Sequence, residues 1–305
     1  MPDTKIDVII PVYRPGKELR SLLVKLQNQT LPPARILLVN TEKKFFDENC
    51  VKGLSDIEVV HITKDEFDHG GTRHMAASMM QGDFLLFMTQ DAVPADDRLI
   101  RELYRPFADE RVCASYARQL PAPDCGVLEE YTRSFNYGTK SRIKTAEDLP
   151  ELGIKTFFCS NVCAMYRRSA YEELGGFPRH TIFNEDMIFA GRLIQNGRAV
   201  AYCAKAQVIH SHNYSGGQQF HRNFDLGVSQ AQYPDVFGTV KSESEGIRMV
   251  KQTAAYLIKR KKPYLLPKLV WQSGCKFLGY RLGKNYRKLP KKLIDRCTMN
   301  KEYWR

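Results

Sequence analysis

Two acidic positions in this chain stand where a carboxylate can act on a ligand. Asp91 follows the apolar run Phe84-Leu85-Leu86-Phe87-Met88, which Gly82-Asp83 and Pro94 bound with turn chemistry. Such a run predicts a central strand. Ligands of open α/β sheets gather beyond the carboxyl ends of strands, and Thr89, Gln90 and Asp91 stand at that end. A turn or helix N-cap would use the same aspartate. The second position is Asn184-Glu185-Asp186, a carboxylate pair opening a helix whose Ile188, Phe189 and Leu193 face inward. Capping alone accounts for such a pair as readily as chemistry does. Between them, Phe67-Asp68-His69-Gly70-Gly71-Thr72-Arg73-His74 sets two glycines and an arginine before an expected helix at 75–81. Glycines there let backbone approach a phosphate, with Arg73 as a forked cation, and they equally make a simple turn. Cys159-x3-Cys163 matches no familiar zinc spacing and is expected in the core.

These groups need a sheet to hold them. Residues 6–12 predict a strand running into Pro11, Tyr13, Arg14, Pro15 and Gly16, and Leu19, Leu22, Leu23 and Leu26 mark a helix over 18–27. Further strands are expected at 35–39 and 57–62, so strand, helix and strand form a βαβ unit with parallel pairing. The ends Pro11-Val12-Tyr13 and Asn40-Thr41 then lie side by side as a mononucleotide-sized crevice, where the Asn40 carbonyl can accept from a base N–H. Residues 156–167 read as an apolar strand with Ser160-Asn161 in its midst, followed by a short helix at 169–174 closed by Gly175-Gly176.

At 305 residues and 43% hydrophobic content the chain is globular. It has no apolar run of about 18 residues and no secretory leader pattern at MPDTKIDVII. Its eight cysteines are scattered, which suits reduced thiols in a cytosol. Charge is uneven: residues 241–305 hold 18 Lys and Arg against 4 Asp and Glu. That surplus of 14 against a whole-chain charge of +12 leaves −2 for residues 1–240. Within the tail, Leu265, Leu266, Leu269, Val270, Trp271, Phe277, Leu278 and Tyr280 lie among Lys261, Lys262, Lys268, Lys276, Arg281 and Lys284. Basic amphipathic helices of this kind suit an anionic membrane surface, or pack their apolar face on the body. Nucleic acid is not expected as a partner, because the tail carries no recognition motif and the body is not basic.

The ordered strings IPVYRPG, FDHGGTRHMA, FLLFMTQDAVP, Gly175-Gly176-Phe177, FNEDMIFAGRLIQNG and Val208-Ile209-His210 resemble a family 2 glycosyltransferase of the GT-A fold over roughly residues 5–215. TQDA and HGGTR look most like bacterial rhamnosyltransferases, which use dTDP-L-rhamnose to build O-antigen or cell-wall polysaccharides. The resemblance implies a GT-A domain at 1–240, its donor half at about 1–110 and its acceptor half at about 111–240, with a helical basic appendage at 241–305. It implies a Rossmann-like, mostly parallel α/β sheet and inversion at the anomeric carbon. A nucleotide sugar would be held by Pro11, Tyr13, Asn40, Arg73, Gln90 and Asp91. Mg²⁺ or Mn²⁺ would be held by Asp91 with His210. Asp186 would be the general base, with Glu185 beside it in the acceptor site. The family's Asp-x-Asp falls here on Thr89-Gln90-Asp91, and its aspartate after the second strand falls on Asn40. A lipid-linked saccharide as acceptor, and a cytoplasmic place on the inner face of the cell membrane, follow from the same resemblance. A UDP-linked donor is the alternative.

Overall fold

The computed structural model describes residues 4–238, 240 and 243–305; Lys241, where the sequence places the start of the tail, lies outside the described residues. Nine strands among these join one sheet: β1 (Ile6–Tyr13), β2 (Arg35–Thr41), β3 (Ile57–Ile62), β4 (Phe84–Met88), β5 (Val93–Pro94), β6 (Val112–Leu120), β7 (Arg142–Lys144), β8 (Cys163–Arg167) and β9 (Ala199–Ile209). Their order is β3-β2-β1-β4-β8-β6-β9-β5, with β7 on β9. The expected parallel pairing holds through β3, β2, β1 and β4, and again between β6 and β9. Strands β8, β5 and β7 run antiparallel to their neighbours, so the sheet is mixed beyond β4.

The chain forms two compact units. The first holds the sheet and takes residues up to 120, 137–180 and 185–210. Its core begins where the sequence is most apolar: Val8, Ile10, Leu38 and Leu86 are fully buried, and the Lys17–Gln27 helix covers them with Leu19, Leu22, Leu23 and Leu26. Asp7 is buried within β1 and accepts from Gln81 N at 2.9 Å and Gly82 N at 2.6 Å. That carboxylate pins the turn into β4. A side chain at Gly82 would collide with it, which is why glycine stands there.

The second unit comprises 121–136, 181–184 and 211–305. The Gly216–Gln232 helix, which opens with a reciprocal Ser215–Gln218 capping box, belongs with the basic tail because it packs on the Leu266–Lys284 helix. A Cβ at Gly279 or Gly283 would run into the carbonyls of Phe220 and Phe224, so only glycine allows this approach. Asp225 joins the chain end to the same helix, accepting from the Thr298 hydroxyl at 2.6 Å and from Met299 N at 2.9 Å. The Leu266–Lys284 helix also leaves Val270, Trp271, Phe277 and Leu278 exposed, with the edge of the Trp271 indole against Gly216.

Candidate active site

At the carboxyl ends of β1 and β2, Val12 pairs with Asn40 and Tyr13 with Thr41, as the crevice requires, with Pro11 one step inside opposite Val39. Asn40 is fully buried; its Nδ2 meets His61 Nδ1 at 3.0 Å, while its Oδ1 finds no donor among the described residues. The Tyr13 ring is exposed and meets Phe45 edge-on at 5.9 Å. Arg14, at φ 48°, lays its guanidinium 4.3 Å from the centre of the Phe45 ring. Neither Arg14 nor Phe45 stood out in the sequence, where Arg14 read only as part of a breaker cluster. Gln90 accepts from Tyr13 N at 2.8 Å and donates to Tyr13 O at 3.0 Å, fastening the loop after β4 to the end of β1. Thr89, in the place of the family's first aspartate, has a buried hydroxyl with no partner among the described residues.

Asp91 comes to His210, whose Nε2 lies 3.5 Å from Asp91 Oδ1. His210 is buried, and its Nδ1 meets Gln119 Oε1 at 3.1 Å. Gln119 in turn donates to Ser160 Oγ at 3.0 Å, which aims its carbonyl at the imidazole. A histidine that donates from Nδ1 presents the Nε2 lone pair, here toward a carboxylate. That donor set fits a divalent cation.

Asp186 opens the Glu185–Gln195 helix. One of its oxygens accepts from Asn161 N at 2.8 Å and the other from Met187 N at 2.8 Å. Burial, and next the neighbouring Glu185, push its carboxyl up to about 7 against the pull of those two amides. Glu185 is buried, accepts from Asn161 Nδ2 at 3.1 Å and forms an ion pair with Arg73 at 3.2 Å. Arg73 is buried as well and also donates to His69 O at 2.8 Å. Its guanidinium is turned to the carboxylate pair and is not presented as an open fork. Asn161 is the hub: the Tyr166 hydroxyl donates to its Oδ1 at 2.9 Å, and its amides serve both carboxylates.

Two expectations change. The glycines of the HGGTR string lie inside the His69–Ser78 helix, whose first amides are taken by Asp68 Oδ1 from Gly70 at 2.9 Å and Gly71 at 2.7 Å. Gly71 also lies against the Arg179 carbonyl, so this helix start is closed to a phosphate. The strand expected over 156–167 is only β8; residues before it form a short 3-10 turn, Gly153–Phe157, and a loop. Loop backbone is what frees Asn161 to serve two carboxylates. Beneath the loop, buried Lys144 donates to the carbonyls of Lys155 and Phe158, and burial pushes its ammonium down to about 7. All eight cysteines are free, and Cys159 and Cys163 are buried as expected.

Comparison with known proteins gives the family and the fold. The family model "Glycosyl transferase family 2" matches residues 7–175. The chain is 41% identical over 304 residues to the O-antigen chain rhamnosyltransferase RfbN of Salmonella typhimurium, covering 98% of this chain and 96% of that protein. It is 40% identical over 302 residues to the O-antigen chain rhamnosyltransferase WbaN of Salmonella anatum, covering 97% and 95%. In fold it is similar to the mannosyltransferase PcManGT of Pyrobaculum calidifontis, solved with GDP-Man and Mn²⁺, at TM-score 0.63 and 13% identity over 93% of this chain and 88% of that one. It is also similar to residues 1–349 of S. aureus TarS with UDP-GlcNAc, at TM-score 0.53 and 16% identity over 93% and 92%. The GT-A-like fold agrees with the expectation from sequence, and the chain belongs to glycosyl transferase family 2 as a glycosyltransferase.

Proposed function

We propose that this enzyme transfers L-rhamnose, with inversion, from dTDP-β-L-rhamnose to a hydroxyl of a lipid-linked glycan in O-antigen or cell-wall polysaccharide synthesis. The near full-length likeness to two O-antigen chain rhamnosyltransferases supports the donor and the setting. The observation that carries the chemistry is Asp186, a single carboxylate held by two backbone amides and raised to about 7. A base with that affinity for a proton is poised to take one from an acceptor hydroxyl near neutral pH. The hydroxyl oxygen then attacks the anomeric carbon from the face opposite the diphosphate, the carbon–oxygen bond to the diphosphate breaks, and a β-linked donor gives an α-linked product. Displacement in one step needs no carboxylate nucleophile. Arg73 and Asn161 hold Glu185, and Glu185 in turn keeps the affinity of Asp186 for its proton high.

On the donor side, Asn40 Oδ1 accepts from N3–H of the base and the exposed Tyr13 ring lies along the nucleoside. Gln90 shapes the crevice through its two bonds to Tyr13. Asp91 and His210 would hold Mg²⁺ or Mn²⁺, which when bound neutralises charge on the departing nucleoside diphosphate. Uracil offers the same N3–H as thymine, so a UDP-sugar is the competing donor. Thermal shift with dTDP-rhamnose against UDP- and GDP-sugars, with and without metal, tests this: dTDP-rhamnose should raise Tm most. A larger shift from a UDP-sugar overturns the donor assignment.

Among the described residues no helix is long and apolar enough to cross a membrane. The exposed Val270, Trp271, Phe277 and Leu278, with the basic run Lys259, Arg260, Lys261 and Lys262, instead suit peripheral attachment to an anionic leaflet. Each engaged Lys or Arg is worth about 1 kcal/mol there. Attachment confines the enzyme to the layer that holds a lipid-linked acceptor. Cosedimentation with anionic vesicles at low and high salt checks it.

A further inference from the structure

The second unit contains a cavity of about 180 Å³ that the chemistry at Asp186 does not use. Lys268, Gln272 and Lys276, one face of the Leu266–Lys284 helix, line one wall. Glu129 and Thr132 of the Val127–Asn136 helix line another, and Gln219 a third. Gln219 is nine-tenths buried, yet its side-chain amide makes no hydrogen bond among the described residues. Lys276 likewise makes neither a hydrogen bond nor an ion pair among them, and burial holds its ammonium below the ordinary lysine value. Both groups line the cavity, so a ligand seated there can pair them.

The lining decides what that ligand is. Asp124 and Glu129 face the same space as the two lysines, and Glu129 is already paired with Arg133 at 2.6 Å. Carboxylates beside ammoniums and amides repel a phosphate and serve a neutral group that both gives and accepts hydrogen bonds. Adjacent sugar hydroxyls do both. The volume is below the about 300–1,000 Å³ typical of drug-sized ligands and suits one ring. His212 and Tyr214, rings 5.0 Å apart, add apolar faces for the C–H side of a sugar. We infer that this cavity is a saccharide subsite that holds one neutral hexose residue of the acceptor glycan, gripped by Gln219 and Lys276. Calling that glycan the acceptor rests on the function proposed above; the subsite itself does not.

The test uses the full-length protein without donor. A panel of neutral methyl hexopyranosides and, separately, inorganic pyrophosphate are titrated by saturation-transfer NMR. At least one hexoside should bind, and Gln219→Ala or Lys276→Met should weaken it about ten-fold, the worth of a buried hydrogen bond. Lys268→Ala, at an exposed position, is a second variant that leaves the fold alone, and it should weaken the same hexoside with unchanged Tm. In transfer assays the variants should raise KM for a long glycan acceptor, leaving kcat and KM for the donor unchanged. Hexoside binding that ignores all three substitutions, or pyrophosphate binding that they abolish, overturns the subsite. Hexoside binding lost in the variants while dTDP-rhamnose supports no transfer by the parent would leave the subsite standing and overturn the donor reading instead.

Discussion

The strand-end crevice and the Asp186 cluster, both in the first unit, treat polar atoms in opposite ways. At the crevice, Asn40 Oδ1 and Thr89 Oγ1 are buried without partners among the described residues. At the cluster, both oxygens of Asp186, the Glu185 carboxylate and both ends of the Asn161 amide are engaged, and Arg73 Nε is left without a partner among the described residues. An open acceptor is a place that a ligand completes. A closed network fixes the protonation of one group that must act at a set pH. Two carboxylates in one chain thus take different work from their surroundings: Asp91 meets an imidazole, and Asp186 is walled in beside another acid.

Removing the charge of the closed site should have the largest effect. Asp186→Asn is expected to lower transfer by about 10² or more while calorimetry finds donor affinity unchanged. Preserved turnover would return Asp186 to capping. Next, Asp91→Asn should weaken dTDP-rhamnose binding about ten-fold with Mg²⁺ or Mn²⁺ present, and hardly at all with chelator, the loss of one charge-assisted ligand. Equal affinity in both conditions would make Asp91 a turn residue. At the open site, N3-methylated dTDP should bind the parent several-fold more weakly than dTDP, and Asn40→Ala should erase that difference. A difference that survives in Asn40→Ala removes Asn40 from base reading.

The smallest effect is on stability, and its sign follows from the raised carboxyl of Asp186. A carboxyl held at about 7 in the fold takes up its proton more readily than in the unfolded chain. Its contribution to stability is complete below the ordinary carboxylate range and is lost as pH rises through about 7. The Tm of Asp186→Asn minus that of the parent should therefore increase from pH 5 to pH 8. A difference that stays flat would mean that burial leaves Asp186 as acidic as a surface carboxylate.

Local patterns in the sequence carried much of this. Leu19, Leu22, Leu23 and Leu26 announce one helix face, and Pro11-Val12-Tyr13 with Asn40-Thr41 announce two adjacent strand ends that the register then aligns. Gly70-Gly71 drew the phosphate reading, whereas the helix begins at His69, six residues before the expected start at 75, with Asp68 as its cap. Long-range pairing was not legible: nothing in the chain order joins Arg73 to Glu185, or Asn161 to Asp186. The apolar run at 156–167 hid the loop that carries Asn161, because period alone does not separate strand from buried loop. In the tail, Gly279 and Gly283 close on the Gly216–Gln232 helix, a contact the apolar pattern alone did not show, while Val270, Phe277 and Leu278 stay exposed.

The outward face gives a test of its own. Neutralising Lys259, Arg260, Lys261 and Lys262 together, or changing Trp271 and Phe277 to serine, should lower binding to anionic vesicles and activity on a lipid-linked acceptor. Activity on a short soluble acceptor should stay within about two-fold, since surface changes away from a site cost little. Unchanged vesicle binding would make the face a packing or oligomerisation surface.

The most direct measurement of the central claim is transfer from dTDP-β-L-rhamnose to a lipid-linked glycan by the parent and by Asp186→Asn, with the anomeric configuration of the product read by NMR. The parent should give an α-rhamnosyl product, on a rate profile whose acid limb rises through about pH 7, and the variant almost none. A β-linked product, or an equal yield from Asp186→Asn, would contradict it.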